Sequence, residues 1–294
     1  MDTERGKVKV VLLCCPGRFQ THLANLLHQD YELAGIVICQ PTPGNQSLLQ
    51  ALLAKRHYLL HPVRLFKHLY TRLCLRKYEQ HAEKLLQENY QQFMSMQSMP
   101  EGVSTVQVDD INCSSAIEFV KTHKPDIVCV NGTNLLRQPM LSATVSIPLG
   151  VINLHTGLSP YARGGNCNLF MLLEGKPEYV GATIHYIDEG IDSGDIIRTL
   201  RPDFKANDPY EYIEAKVFID GNRAMVDAVA ALAEQSAPRV QQWIKGKEFL
   251  RRTGYCYNPS QRLRLNRLIE QGLLARYKQN QSTIDSDAEL RLIV

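Results

Sequence analysis

Two stretches of this chain concentrate side chains that do chemistry: VINLHTGLSPYARGG, starting at Val151, and GATIHYIDEGIDSGDII, starting at Gly181. Asn153 and His155 stand two apart in an apolar run. Strand side chains alternate between faces, so both point the same way near the strand's carboxyl end. Open α/β sheets take their ligands beyond that end. The segment DEGIDSGD sets Asp188, Glu189, Asp192 and Asp195 among two glycines in eight positions. Such a stretch is a flexible acidic turn that can swing one carboxylate toward the imidazole. An amide, an imidazole and a carboxylate suit acyl transfer to nitrogen. Asn153 can donate a hydrogen bond to the tetrahedral oxyanion, and a protonated His155 can add charge and act as general acid. A nearby aspartate is expected to raise the histidine pKa, and Asp192 can also relay the proton lost by the amine. No serine or cysteine nucleophile is required.

The elements that must hold these residues read as alternating strands and helices. Residues 8–14 are a buried-type apolar run, broken by Pro16-Gly17. Residues 19–28 have helical spacing, and 31–39 form a second apolar run. Strand, turn, helix and strand make the βαβ unit of a parallel sheet. The turn CCPGRF has a single glycine, so the dinucleotide fingerprint is missing. After Gly102 the rhythm resumes with strands at 103–108 and 126–130, a helix at 114–122 and a short helix at 135–143. Further strands are expected at 151–155, 181–187 and 196–200. Asp208 as N-cap and Pro209 at the first helical position open a helix to about residue 235. This describes an α/β, Rossmann-like, mostly parallel sheet in a catalytic domain spanning 1–237, with a short C-terminal extension at 238–294.

Residues 45–99 break this pattern and read as an inserted helical segment. Pro62 separates two helices in it, and Lys and Arg are dense over 55–77. That face suits a phosphorylated substrate, an anionic membrane surface touched peripherally, or a partner; a solvated hairpin packed on the domain is the plainer reading. A formal charge of +3 over 294 residues neither demands nor excludes an anionic ligand. No stretch approaches the roughly 18–20 apolar residues of a membrane span. The N-terminal apolar run lacks a small-residue cleavage site and reads as a first strand. Eight cysteines without a C-x-x-C pair read as reduced thiols of a cytoplasmic protein. The acidic turn does not match the twelve-residue calcium loop, so no metal is expected.

The pattern N-L-H, then S-P-x-x-R-G-G, then T-I-H-x-x-D-E-G-x-D-x-G-D resembles the folate-dependent formyltransferase family. That family includes methionyl-tRNA, glycinamide ribonucleotide and sugar N-formyltransferases. The resemblance places its N-x-H pair on Asn153 and His155 and its catalytic aspartate on Asp192. It implies N10-formyltetrahydrofolate as formyl donor. The folate head would lie against Ile187, Asp188, Glu189 and Gly190, with a second wall at Leu135, Leu136 and Arg137. The acceptor side would include Gly17, Arg18, Phe19, Ser159 and Arg163, with Arg163 either contacting an anion or bracing its loop. Asn166 and Asn168 are further candidates, and His185 reads as a supporting or core histidine. The family's proline-serine-leucine-leucine-proline is replaced by Thr156-Gly157-Leu158-Ser159-Pro160, which points to a remodelled acceptor side.

The expected activity is N-formylation of a small amine, foremost a nucleotide-linked amino sugar. The alternatives are formylation of methionyl-tRNA, hydrolysis of formyltetrahydrofolate, and a silent binding module on the same fold. The tail lacks the regular short strands of the barrel that tRNA-specific relatives carry, which disfavours nucleic acid. A homodimer is compatible with the sequence.

Overall fold

A computed structural model describes residues 7–40 and 62–294 of the chain. The sheet order explains where the chemistry sits. Seven strands run β3-β2-β1-β4-β5-β7-β8: β1 (Lys9–Cys14), β2 (Glu32–Cys39), β3 (Ser104–Val108), β4 (Ile127–Asn131), β5 (Val151–His155), β7 (Ala182–Tyr186) and β8 (Ile196–Leu200). The first five are parallel, while β5–β7 and β7–β8 are antiparallel. The remaining strands, β6 (Ala162–Gly164) and β9 (Lys247–Phe249), pair with each other outside this sheet. The strand order reverses at β1, whose neighbours are β2 and β4. A crevice opens there because the connections on its two sides leave in opposite directions.

Continuous apolar runs form the central strands because both faces of a parallel sheet are covered. All five residues of β4 are buried. On one face, α1 (Arg18–Asp30) and the helix Tyr210–Ala233 cover Leu12, Cys129, Leu154 and Ile184. On the other, the helices Ser114–His123 and Gln138–Thr144 cover Val11, Leu13, Val128 and Val130. Burying each such Val, Leu or Ile contributes about 1.5–3 kcal/mol. At Gly221 a Cβ would stand 2.8 Å from Leu154 Cδ1, so the long helix needs a glycine there to approach β5 this closely.

Two helix starts differ from expectation. The short helix begins at Gln138, with proline among its first two positions, so Leu135, Leu136 and Arg137 form the loop before it. The long helix starts at Tyr210 with Pro209 as N-cap and no side-chain cap. Asp208 instead accepts from the Lys205 backbone N–H at 3.0 Å. The helix expected before Pro62 lies outside the described residues, whereas Pro62–Asn89 is a helix as expected. Residues 238–294 fold back onto the domain. β9 joins β6, and Thr199 of β8 donates through its backbone N–H to Ile293 O at 2.6 Å. All eight cysteines are free. Among the described residues no helix is long and apolar enough to cross a membrane.

Candidate active site

The carboxyl ends of β4 and β5 frame a cleft of about 550 Å³, with the acidic turn after β7 forming part of its wall. At the β4 end, Gln20 Nε2 donates to Asn131 Oδ1 at 2.6 Å, and Asn131 Nδ2 donates to Leu154 O at 3.1 Å. These two bonds fix the crest between α1, β4 and β5. Neither Asn131 nor Gln20 belongs to a motif in the sequence.

Asn153, His155 and Asp192 converge in this cleft. Asp192 Oδ2 lies 3.4 Å from His155 Nδ1, and Asp192 Oδ1 lies 3.5 Å from Asn153 Nδ2. His155 Nε2 faces Ala162 O at 3.2 Å. Both ring nitrogens therefore meet acceptors, so a neutral ring satisfies one and the imidazolium satisfies both. The expectation that Asp192 raises the His155 pKa fails on balance. Burial pulls that pKa below the ordinary histidine value, and Asp192 only partly offsets it. Burial pushes the Asp192 carboxyl up, but the charge His155 can carry and the Gly164 N–H hold it well below the usual carboxylate range. At rest an ionised Asp192 stands beside a His155 whose charged form burial disfavours.

His185 sets the orientation of Asn153. Its Nδ1 faces its neighbour's carbonyl, Tyr186 O, at 2.7 Å and so carries the proton. Its Nε2 then accepts from Asn153 Nδ2 at 3.1 Å. The second N–H of Asn153 has only the long contact to Asp192, so it is the one free to turn toward a ligand oxygen. The reading of His185 as a supporting histidine fits this geometry.

The acidic turn is held from three sides. Asp192 adopts φ +48°, a left-handed conformation costly for a non-glycine residue. Gly164 N–H donates to its Oδ2 at 2.9 Å. Gln242 Nε2 donates to Asp192 O at 2.8 Å and Gly194 O at 2.9 Å. Arg163 Nη2 donates to Gln242 Oε1 at 2.6 Å. Of the two roles open to Arg163, this is the brace: its guanidinium points at the C-terminal segment and does not line the cleft. Gln242 was invisible in the sequence because its segment has no motif.

Under His155 the packing is tight. A Cβ on Gly157 would lie 2.3 Å from His155 Nε2 and 2.8 Å from Cys167 Cβ. Cys167 Sγ is 3.6 Å from His155 Nε2, and burial pushes its thiol well above the usual range, so it is no nucleophile. Thr183 Oγ1 donates to Gly157 O and accepts from Ser159 N–H, both at 2.8 Å. That bond holds Ser159 in the interior, fully buried and away from the cleft. Asn168 is likewise structural, exchanging bonds with Gly181 at 3.1 and 2.9 Å, and Asn166 is the left-handed residue that opens the helix Cys167–Leu173.

The remaining expected site residues divide. Leu135, Leu136, Ile187, Asp188 and Gly190 line the cleft. Arg137 does not, and Glu189 turns outward to Gln138. Gly17, Arg18 and Phe19 lie at the start of α1, one layer behind the lining. Phe19 stacks at 4.5 Å on Phe218, which does line the cleft, and Arg18 pairs with Glu83 at 2.8 Å. Leu250 of the C-terminal segment also reaches the cleft. Neither Phe218 nor Leu250 stood out in the sequence, since both sit in ordinary apolar positions.

The formyl transferase family profile matches residues 80–229, which takes in every strand from β3 to β8 and the three convergent side chains. The chain belongs to this folate-dependent formyltransferase family. Similar sequences include the methionyl-tRNA formyltransferase of Methylacidiphilum infernorum, 29% identical over 139 residues, and that of Kosmotoga olearia, 31% identical over 127 residues. These alignments cover 46% and 43% of this chain, and only 42% and 40% of the relatives, so the chain spans less than half the length of the relatives it matches. A candidate sugar N-formyltransferase structure from Mycobacterium tuberculosis aligns over 88% of this chain and 85% of its own, with TM-score 0.50 and 14% identity. That likeness concerns the fold alone.

Proposed function

We propose that this protein transfers the formyl group of N10-formyltetrahydrofolate to an amine. The observation that carries this reading is the convergence of Asn153, His155 and Asp192 at the carboxyl end of β5. The cleft fits the donor. It has ordinary small-molecule size and apolar walls at Leu136, Ile187 and Ile191, with Gly132, Thr133, Asp188 and Gly190 between them.

In the reaction, the amine forms a bond to the formyl carbon and the bond from that carbon to N10 breaks. Asn153 donates its loosely held N–H to the developing oxyanion. The His155–Asp192 couple receives the proton lost by the amine and returns it to the departing N10, so no net proton is consumed. The growing negative charge on the oxyanion favours the imidazolium that burial disfavours at rest.

The acceptor we assign is a small amine, foremost a nucleotide-linked amino sugar. Phe218, backed by Phe19, puts an aromatic side chain in the cleft lining, and Leu250 brings the C-terminal segment into its wall. The sequence relatives named for methionyl-tRNA keep the second reading, tRNA, alive. Thermal shift separates the two. The protein is expected to gain stability with N10-formyltetrahydrofolate and with a nucleotide-linked amino sugar, but not with methionyl-tRNA. Stabilisation by tRNA alone would reverse the assignment, and formate release without any amine would make the enzyme a hydrolase.

A further inference from the structure

The helix Pro62–Asn89, α2 here, is apolar on two opposite sides. One side packs inward through Thr71, Leu75, Tyr78 and Ala82, all buried. At 100° per residue, Val63, Phe66, Leu69, Tyr70 and Leu73 fall on the far side and one flank, with Phe66, Leu69 and Leu73 facing away from the packed side and Val63 and Tyr70 about at right angles to it. In chain order they are exposed to 77, 71, 56, 47 and 65%. Five exposed apolar side chains grouped on one stretch of helix mark an interaction surface.

The charge around this stripe selects its occupant. Residues 62–78 contain five Lys and Arg and no Asp or Glu. Beside them, Arg264 and Arg267 join Lys67 and Tyr70 around a groove of about 390 Å³ between α2 and the helix Pro259–Glu270. A second copy of the chain docking symmetrically would set this cationic patch against itself. A nucleic acid would satisfy the cations but leave Val63, Leu69 and Leu73 bare, since such interfaces are polar. A surface offering negative charge above and hydrocarbon below satisfies both. Basic amphipathic helices lie in lipid headgroups this way, with the apolar face about 5–10 Å deep.

We propose that the N-terminal half of α2 docks the protein peripherally on an anionic phospholipid bilayer, with Phe66, Leu69 and Leu73 inserted and Arg72 and Arg76 at the headgroups. This inference stands apart from the formyl-transfer reading, because vesicle binding is read without any reaction.

The test is co-sedimentation of the full chain with vesicles of phosphatidylglycerol and phosphatidylcholine, compared with pure phosphatidylcholine. Binding to the anionic vesicles is expected to be at least about tenfold tighter and to weaken in 0.5 M salt (roughly 4–5 Å screening). The double variant Phe66→Ser/Leu73→Ser and the double variant Arg72→Glu/Arg76→Glu should each lose about tenfold or more, with circular dichroism unchanged because these side chains are exposed. Equal binding to neutral vesicles, no binding to anionic ones, or wild-type binding by the variants overturns the proposal. So does a concentration-dependent dimer abolished by Phe66→Ser/Leu73→Ser, or tRNA binding that anionic vesicles fail to displace.

Discussion

Asp192 Oδ2 stands 3.4 Å from Nδ1 of His155, while the ring's other nitrogen faces the Ala162 carbonyl at 3.2 Å. The imidazole is thus held between two acceptors in a buried setting that disfavours its charged form. It gains most from a proton at the moment negative charge develops beside it.

That arrangement fixes the pH dependence of turnover. Burial keeps the His155 pKa below the ordinary histidine value in the free enzyme. The neutral ring is the form that accepts the amine's proton, so the acid limb of kcat/KM reports the free-enzyme pKa. The limb is expected below pH about 6.5. An acid limb at or above that value in a pH–rate profile contradicts the resting state described.

Gln242 is expected to act through Asp192. Gln242→Leu removes both donors to the carbonyls of Asp192 and Gly194. It also leaves Arg163 without its partner at 2.6 Å. The carboxylate then loses its fixed position, and misplacement of a catalytic group is costly. We expect kcat to fall by about tenfold with KM for the folate little changed, whereas Gln242→Glu should retain the brace to Arg163 but not the two carbonyl contacts. Wild-type kcat in Gln242→Leu would show that the turn is positioned without it.

Gly157→Ala tests the packing under the imidazole. The added Cβ meets His155 Nε2 at 2.3 Å, and Cys167 Cβ blocks the opposite escape. The ring must shift toward the cleft, so turnover is expected to drop by about a hundredfold, with the protein still folded by circular dichroism. Full activity would mean that the loop yields instead of His155.

Acid stability provides a test away from the site. Burial, with Arg223 adding to it, lowers the pKa of His22 from 6.5 to about 4. His155 is lowered in the same sense. A folded pKa below the unfolded one means that the unfolded chain binds protons that the folded chain refuses. Stability therefore falls as pH drops from 6.5 toward about 4. The Asp192 contribution is lost only at lower pH, below the ordinary carboxylate value. Urea midpoints at neutral and mildly acidic pH should show the decline, and His22→Leu should flatten it, since Asn222 still donates to Phe19 O at 2.8 Å. A midpoint that holds steady on acidification would contradict the assignment.

The strands were legible because a sheet covered on both faces demands uninterrupted apolar runs, and β1, β4 and β5 supply them. Asn153 and His155 were legible because a period of two fixes their common face. The helix at Gln138 was misplaced by its apolar neighbours: Leu135 and Leu136 read as helical spacing but serve as a loop wall, while Pro139, a usable start signal, marks the true beginning. Arg163 and Gln242 could not be read because their pairing joins segments far apart in the chain, and nothing local in either specifies it. The sign of the His155 shift depended on how deeply the ring is buried, which spacing does not reveal.

The most direct test follows tetrahydrofolate release from N10-formyltetrahydrofolate over a panel of nucleotide-linked amino sugars, for the wild type and for Asn153→Ala, His155→Ala and Asp192→Ala. Release is expected to require an amine in the wild type and to fall by at least about a hundredfold in each variant. Release that ignores the amine, or that survives the loss of any one of the three side chains, would contradict the formyl-transfer reading.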